Sequence, residues 1–274
     1  MTLSLNGSLL LAGAGKMGGA MLSGWLDRGL DPRQIIVQDP GPPPEVAALI
    51  SRHGIAQRTG PEPLTSPPAV VLVAVKPQVM DQVFPPLAKL AGKDTVVLSV
   101  AAGKTIAGFE KHLPQGAAVV RSIPNTPAAI GRGITVCCAN GNVTAGQRET
   151  CQALLSAIGE VGWVEDEGLI DAATAVSGSG PAYLFLLAEC LAEAGRAVGL
   201  DSNLAKQLAN ATVSGAGELL RQSGLEAATL RQNVTSPNGT TAAALAVLMA
   251  NDGLQPLLTK AIQAAEQRSR ELSG

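Results

Sequence analysis

Three glycines near the start of the chain have the spacing of a phosphate-binding turn. An apolar run, Leu9–Ala12, leads into this turn, and an apolar helical pattern follows it. In a G-x-G-x-x-G turn between strand and helix, the first glycine permits the tight turn and the second lets the backbone approach a pyrophosphate, while the third allows close helix–strand packing. The N–H groups of the helix start face the phosphate charge. The predicted dinucleotide-binding residues are Gly13, Ala14, Gly15, Lys16, Met17 and Gly18.

Asp39 is the next candidate for this site. It follows the second predicted strand about 20 residues beyond Gly18, the separation at which an acidic residue meets the adenosine ribose. A carboxylate there accepts hydrogen bonds from the ribose hydroxyls and favours NAD. Two alternatives remain open: Asp39 can be a turn aspartate before Pro40, and Arg52 or Arg58 can instead meet a 2′-phosphate. The expected cofactor is therefore NADPH or NADH.

Hydroxyl groups cluster at a turn in the last third of the chain. The stretch Ser236–Thr241 contains a proline and a glycine, carries three hydroxyls and precedes an apolar helical pattern. The first N–H groups of a helix lack partners within it, so such a turn can hold a carboxylate without an arginine. The alternative is ordinary helix capping by Thr240.

Neither histidine fits an acid–base role. His53 and His112 fall on helix-like segments with no motif around them, and we interpret both as solvated surface residues. Hydroxy-acid dehydrogenases need a group that protonates or deprotonates an alkoxide as hydride moves. A substrate that needs no strong acid or base fits better, and a cyclic imine, electrophilic once protonated, is one.

Bulk composition excludes several classes of partner. The formal net charge is −2, the pI is about 5.8 and basic residues are scattered, so nucleic acid and anionic lipid are not expected. The four cysteines lack metal-ligand spacing, and no metal is expected. Charged residues interrupt Pro181–Leu200, the segment nearest to a membrane span, so no membrane partner is expected. No signal-peptide pattern opens the sequence, and we expect a cytoplasmic protein.

The hydropathy also bears on assembly. Mean hydropathy is +0.23 and only 15% of residues are charged. These values suggest that apolar helix faces are buried in a subunit contact, so we expect a homo-oligomer.

The predicted secondary structure that positions these residues changes along the chain, from alternating strands and helices to helices alone. Up to about Asp166, β-branched runs alternate with helical patterns, which indicates βαβ units and a parallel sheet covered on both faces. Beyond it only helical patterns follow. We predict an α/β protein with an N-terminal Rossmann-type doubly wound parallel sheet followed by an all-α C-terminal domain. The predicted dinucleotide-binding domain covers residues 1–164, and the predicted helical substrate-binding and dimerisation domain covers 165–274.

The individual elements can be placed from the same patterns. The predicted strands are Ser8–Ala12, Gln34–Gln38, Ala69–Val75, Thr95–Val100 and Ala118–Arg121, with weaker runs at Ile134–Ala139 and Val161–Val164. The predicted helices are Met17–Arg28, Glu45–His53, Val79–Ala88, Ile106–His112, Ile170–Val176, Pro181–Val198, Ser202–Arg221, Ala227–Asn233, Thr240–Asn251 and Pro256–Leu272.

Several separated motifs, in order along nearly the whole chain, resemble those of the pyrroline-5-carboxylate reductase family. The most telling is Val234–Thr241, with the sequence VTSPNGTT. The full set is Gly13–Gly18, Ala74–Gln78, Ser99–Gly103, Arg121–Pro127, Ala175–Tyr183, Val234–Thr241 and Gln267–Leu272. So many motifs in one order make the resemblance highly specific.

The resemblance implies an oxidoreductase that reduces 1-pyrroline-5-carboxylate to L-proline with NADPH or NADH, the last step of proline biosynthesis. It implies a homodimer with interleaved helical domains and leaves assembly into a larger ring open. Further cofactor contacts are then expected from residues at strand ends and from the helical half: Ala74, Val75, Lys76, Pro77, Ala102 and Asn233. The expected substrate-binding residues are Ser236, Gly239, Thr240 and Thr241. The Thr241 hydroxyl is expected near the ring nitrogen, as the catalytic group.

Three residues depart from the family pattern. Lys16 stands where asparagine is usual and can alter a phosphate contact. Asn238 replaces a common glycine, but asparagine tolerates left-handed backbone angles, so the turn is expected to survive. Met249 replaces a common glutamate, which affects a helix-surface contact more than the chemistry. Ser177–Tyr183 fits either a substrate-side loop or a helix start.

Two other functions are compatible with parts of the sequence. A β-hydroxyacid dehydrogenase has a similar domain order, but its catalytic lysine on an early helix of the second domain has no counterpart in Pro181–Leu200. A nucleotide sensor without catalysis would not need the hydroxyl- and glycine-rich turns. Both are less consistent with the residues than imine reduction.

Overall fold

The computed structural model describes residues 3–273. An eight-stranded sheet has the order β3-β2-β1-β4-β5-β6-β7-β8. The strands are β1 Leu9–Ala12, β2 Ile35–Gln38, β3 Ala56–Arg58, β4 Val70–Val73, β5 Val96–Ser99, β6 Ala118–Pro124, β7 Gly133–Ala139 and β8 Gly159–Trp163. All neighbouring strands are parallel except β6 and β7. The fold is a Rossmann-type α/β domain followed by a helical region, as predicted.

Eleven α-helices are found among the described residues. They are α1 Lys16–Asp27, α2 Pro44–His53, α3 Met80–Ala88, α4 Ile106–Glu110, α5 Ala145–Ser156, α6 Leu169–Ala173, α7 Gly180–Ala197, α8 Ser202–Ser223, α9 Ala227–Asn233, α10 Thr240–Leu248 and α11 Leu254–Ser273. A π-helical turn, Thr174–Gly178, joins α6 to α7. Within Ser177–Tyr183, Ser179 is a bend and α7 begins at Gly180, so the segment contains a helix start; whether it lies on the substrate side stays a prediction.

The central strands are buried on both faces because helices cover the sheet from two sides. On one side α1, α2 and α5 pack against Leu9 and Leu11 of β1. The buried indole N–H of Trp25 donates to the Leu154 carbonyl at 2.9 Å and so joins α1 to α5. On the other side α3 and α4 meet through an edge-to-face contact of Phe84 and Phe109, whose ring centroids lie 4.8 Å apart.

Two elements differ from the sequence prediction. The strand β3 was not predicted, because it has only three residues and no apolar alternation. The helix α5 was also missed, although Thr144 and Gln147 form a capping box at its start and provided a usable signal. The antiparallel direction of β7 was not anticipated either. The connection 125–132 is too short for a parallel crossover, so the chain turns straight back.

The chain divides into two compact units. The first contains the described residues up to Gly178 together with those from Glu266 onward, and the second is Ser179–Ala265. The predicted boundary at 164/165, placed where the strand pattern ends, stays a prediction. In the first unit β1 lies between β2 and β4. The connection reverses direction at this point, so a crevice is expected beyond the carboxyl ends of these strands.

The second unit consists of helices with many exposed apolar side chains. Leu184, Phe185 and Leu186 of α7 are each more than half exposed. The helical run Leu169–Ala197 has a window with mean hydropathy 1.3, of which 6% is buried, so by length and composition alone it can cross a membrane. The sequence pattern indicates Pro181–Leu200 as the segment nearest to a membrane span, but the longer run begins upstream of it, at Leu169.

Candidate active site

The glycine turn between β1 and α1 is built from close backbone contacts. Gly13 has a φ of +90°, and a Cβ there would lie 2.8 Å from the Ala74 carbonyl group. A Cβ on Gly18 would overlap the Gly13 carbonyl oxygen. In contrast, a Cβ on Gly15 would meet no atom within 4 Å. The first and third glycines are therefore needed by the turn itself, while the second leaves an open side.

The open side faces the start of α1. Its N-cap residue is Gly15, no side chain caps the helix, and the first helical hydrogen bond runs from the Gly19 N–H to the Gly15 carbonyl at 2.7 Å. The N–H groups of Lys16, Met17 and Gly18 precede that bond and can face an anion. Beside the turn, the buried Gln38 Oε1 has no hydrogen-bond partner among the described residues. This cradle and this free acceptor fit a dinucleotide.

Asp39 is tied to the glycine turn. Its Oδ2 accepts a hydrogen bond from the Ala14 N–H at 2.7 Å, and its Oδ1 accepts one from the Gly41 N–H at 2.8 Å. The turn-aspartate interpretation therefore describes part of its role. Each carboxylate oxygen has a further lone pair, so acceptance from a ribose hydroxyl stays a prediction. Of the two arginines considered, Arg58 donates to the Glu62 carbonyl at 2.8 Å, and Arg52 is exposed on α2.

The next motif residues lie at the ends of β4 and β5, on the same edge of the sheet. The Ala74 N–H donates to the Ala12 carbonyl at 2.8 Å, which places Val75 and Lys76 directly after β4. Pro77 begins a short 3₁₀ turn that leads into α3. Ala102 follows β5 and is exposed. These residues share the edge of the sheet that carries the glycine turn.

The second unit contains the hydroxyl-bearing turn before α10. The N-cap residue is Gly239, and no side chain caps the helix. Thr240 is the first helical residue, so the alternative in which Thr240 caps the helix is wrong. The turn is held by the Gly239 N–H, which donates to the Ser236 carbonyl at 3.1 Å, and Thr241 is half-buried. The uncapped N–H groups of this helix start can bind a carboxylate.

Two departures from the family pattern can be examined in this unit. Asn238 has a φ of 59° and is the only non-glycine residue with positive φ among residues 3–273. The turn therefore survives as predicted. Met249 is contacted by Arg231, whose Nη1 lies 3.0 Å from the methionine sulfur. Asn233, the last residue of α9, is exposed, and its cofactor contact stays a prediction.

Two histidines and two buried cysteines lie away from the turns described above. His53 and His112 are both exposed, as expected, and His112 contacts Phe84 edge-on at 6.1 Å between ring centroids. Burial raises the pKa of the Cys151 thiol to about 12, and burial also raises the pKa of Cys137. Both thiols stay protonated at neutral pH and act as packing groups.

A Rossmann-type sheet with this glycine turn, followed by helices, defines a nicotinamide-dinucleotide oxidoreductase. A family profile described as NADP oxidoreductase, coenzyme F420-dependent, matches residues 9–103. A second profile, described as pyrroline-5-carboxylate reductase dimerisation, matches residues 167–272. The pyrroline-5-carboxylate reductase of Pseudomonas aeruginosa is 41% identical, with 95% of each chain covered. That of Haemophilus influenzae is 37% identical over the same shares. The chain belongs to the pyrroline-5-carboxylate reductase family.

Solved structures agree with this assignment. The pyrroline-5-carboxylate reductase of Coxiella burnetii is 33% identical and superposes with a TM-score of 0.91, covering 98% of this chain and 100% of the other. The pyrroline carboxylate reductase of Plasmodium falciparum, solved with NADP bound, is 26% identical with a TM-score of 0.79 and covers 98% and 99%. The predicted family and fold are confirmed.

Sequence reasoning missed some polar residues that the fold brings together. Gln38 is one of them. Its position as a glutamine at the end of the otherwise apolar strand β2 is a signal from which the sequence could have indicated a polar role. A cluster formed by Arg121, Glu167, Asp171 and Ser269 is another. Arg121 and Ser269 belong to quoted motifs, but nothing in the sequence indicated that they approach the same carboxylate.

Proposed function

We propose that this chain reduces 1-pyrroline-5-carboxylate to L-proline, the last step of proline biosynthesis. The cofactor, NADPH or NADH, supplies the hydride when bound. The observation that carries the proposal is the uncapped start of α10 after Ser236–Gly239, in a chain that belongs to the family over nearly its full length. The protein contributes positioning and exclusion of water, because a protonated cyclic imine needs no further activation.

In this proposal the first unit holds the cofactor. The N–H groups at the start of α1 bind the pyrophosphate, and the open side of Gly15 lets the backbone approach it closely. Asp39 fixes the turn through the Ala14 N–H and accepts from the adenosine ribose. Residues after β4 and β5, including Lys76 and Ala102, line the nicotinamide ribose.

The second unit holds the substrate in the same proposal. The substrate carboxylate is bound by Ser236 and by the N–H groups of Gly239, Thr240 and Thr241. The Thr241 hydroxyl forms a hydrogen bond with the ring nitrogen, the atom that carries the amine proton in the product. Reduction adds hydride to the imine carbon and leaves that proton on nitrogen, so the charges balance without a separate acid.

The test is an absorbance assay with purified protein, pyrroline-5-carboxylate and each reduced cofactor. Replacement of Thr241 by alanine is expected to lower kcat/KM for the imine about tenfold, the effect of one lost hydrogen bond, ~1.4 kcal/mol. Thr241→Ser keeps the hydroxyl and should retain most activity. The control is Thr235→Ala, because the Thr235 hydroxyl donates to the Arg231 carbonyl of α9 at 2.6 Å and is already engaged there. Wild-type protein that oxidises neither cofactor with this imine would refute the proposal.

We further propose that Asp39 disfavours NADP. In this proposal the Asp39 carboxylate, held beside the glycine turn by the Ala14 N–H, repels a 2′-phosphate. Arg58, one of the two arginines considered for that phosphate, already donates to a backbone carbonyl. Asp39→Ala is expected to shift the ratio of kcat/KM for NADPH to that for NADH about tenfold towards NADPH, ~1.4 kcal/mol. The ratio is measured under identical conditions for both proteins. An unchanged ratio would show that Asp39 is only a turn residue.

We propose a homodimer built through the helical half. Exposed apolar side chains of α7, among them Leu184 and Phe185, need a covering partner, and the matched family profile describes dimerisation. In this proposal a second copy covers this surface rather than a membrane, because the dimerisation profile matches residues 167–272, which contain the whole apolar run. The protein is then cytoplasmic, and dimers can assemble into a ring. Sedimentation without detergent tests this: dimers or larger species are expected, and a monomer or detergent-dependent solubility contradicts it.

A further inference from the structure

A buried ion cluster lies behind the loop that follows β5. Arg121 of β6 is 3% exposed, and its Nη1 donates to Glu167 Oε1 at 2.9 Å. Its Nη2 lies 3.8 Å from Asp171 Oδ1 on α6. The same Glu167 oxygen accepts the Ile106 N–H at 2.8 Å, at the start of α4. The arginine therefore holds a carboxylate that accepts the first N–H group of α4, the helix that follows this loop.

The end of the chain joins the cluster. Near the C-terminal end of α11, Ser269 Oγ donates to Asp171 Oδ1 at 2.6 Å, a short bond typical of a charged acceptor. Beyond it the backbone of α11 reaches the loop itself. A Cβ on Gly103 would lie 3.1 Å from the Leu272 carbonyl oxygen, and Gly103 has a φ of +70°. The last turn of α11 therefore contacts the loop 101–105 at Gly103.

These contacts support the loop at both of its ends. At Gly103 the last turn of α11 packs on the backbone, and at Ile106 the carboxylate of Glu167 accepts the N–H group. Leu272 lies three residues beyond Ser269, which is less than one helical turn, so the Ser269 bond and the contact with Gly103 belong to the same end of α11. Ala102, assigned to the nicotinamide ribose, is the residue directly before the supported glycine.

We propose that Ser269 is a positioning residue for the reduction, acting through Leu272 and Gly103 on the nicotinamide side of the cofactor site. This inference rests on the proposed function. Ser269 does not touch the reacting atoms. Its hydroxyl holds the last turn of α11 against the loop 101–105, and that loop then orients the nicotinamide end of the cofactor. The adenosine end is held independently by the glycine turn and Asp39.

The test uses the full-length enzyme with Ser269→Ala, Ser269→Thr and the control Gln267→Ala, an exposed neighbour on α11. Ser269→Ala is expected to lower kcat about tenfold, because a small misplacement of reacting groups has a large kinetic effect. The dissociation constant of the oxidised cofactor should stay near the wild-type value, since the adenosine end is unaffected. The primary isotope effect on kcat with a 4-deuterated reduced cofactor should rise as hydride transfer becomes slower. Ser269→Thr retains the hydroxyl and should restore kcat, and Gln267→Ala should behave as wild type.

Hydrogen exchange gives a measurement that does not depend on turnover. The N–H groups of residues 101–106 are expected to exchange faster in Ser269→Ala than in Ser269→Thr or Gln267→Ala. If the wild-type chain fails to reduce pyrroline-5-carboxylate, the proposed function is wrong. The exchange data still test whether the Ser269 hydroxyl holds the loop 101–105. Unchanged exchange, or a loss of kcat that merely follows the fraction of folded protein, would overturn the positioning role.

Discussion

Replacement of Gly15 by aspartate is expected to abolish use of the dinucleotide while the protein stays folded. A Cβ at this position meets no atom within 4 Å, and the residue is half-exposed, so the fold accommodates a side chain. The added carboxylate then lies where the pyrophosphate approaches the start of α1. Two like charges about 4 Å apart at an intermediate dielectric repel by several kcal/mol, so the dissociation constant of either cofactor should rise at least about 100-fold.

This result is measured by titrating the protein with NADH and NADPH and following fluorescence, with thermal unfolding recorded in parallel. The matched control is Gly141→Asp, an exposed loop glycine at which a Cβ also meets no atom within 4 Å. It adds the same charge away from the glycine turn and should bind the cofactors normally. Wild-type affinity in folded Gly15→Asp would mean that the pyrophosphate is bound elsewhere.

Replacement of Arg121 by leucine is expected to have the largest effect on stability. The arginine side chain is 4% exposed and contacts two carboxylates, Glu167 at 2.9 Å and Asp171 at 3.8 Å. Its removal leaves both carboxylates partly buried without their cation. Breaking such a pair costs about 3 kcal/mol, which for a protein of this size lowers Tm by roughly 10 °C.

Two further variants make this measurement specific. Arg121→Lys keeps the positive charge and should lose less stability than Arg121→Leu. The control is Arg33→Leu, because Arg33 pairs with Asp31 on the surface with 89% of its side chain exposed. Exposed pairs contribute about 0.5 kcal/mol or less, so Tm should hardly change. If Arg121→Leu and Arg33→Leu unfold at the same temperature, the buried cluster does not stabilise the first unit.

Local patterns were sufficient for most of the fold. Apolar runs and glycine punctuation predicted β1, β2 and β4 to β8. The pattern is clearest in β1, β4 and β5, whose residues are all buried, because a strand covered on both faces is mostly apolar. The partly buried β7 and β8 have only weaker apolar runs. The three-residue β3 has no such pattern. The direction of β7 depends on the length of the preceding connection and on which edge of the sheet is free. A run of apolar residues carries no information about either of these.

The same distinction applies to the candidate site. The sequence by itself determined the dinucleotide turn, because phosphate binding requires glycines at fixed spacing, and it anticipated the left-handed Asn238. Whether Thr240 caps α10 was decided only by the tertiary structure, where Gly239 is the cap. The cluster of Arg121, Asp171 and Ser269 was also decided there, since its members are distant in sequence and meet only after the sheet and α11 have packed. Phosphate binding requires particular residues at fixed spacing along the chain, and the sequence alone shows that spacing. Contacts between residues that are distant in sequence depend on how the helices and the sheet pack, so they are visible only in the tertiary structure.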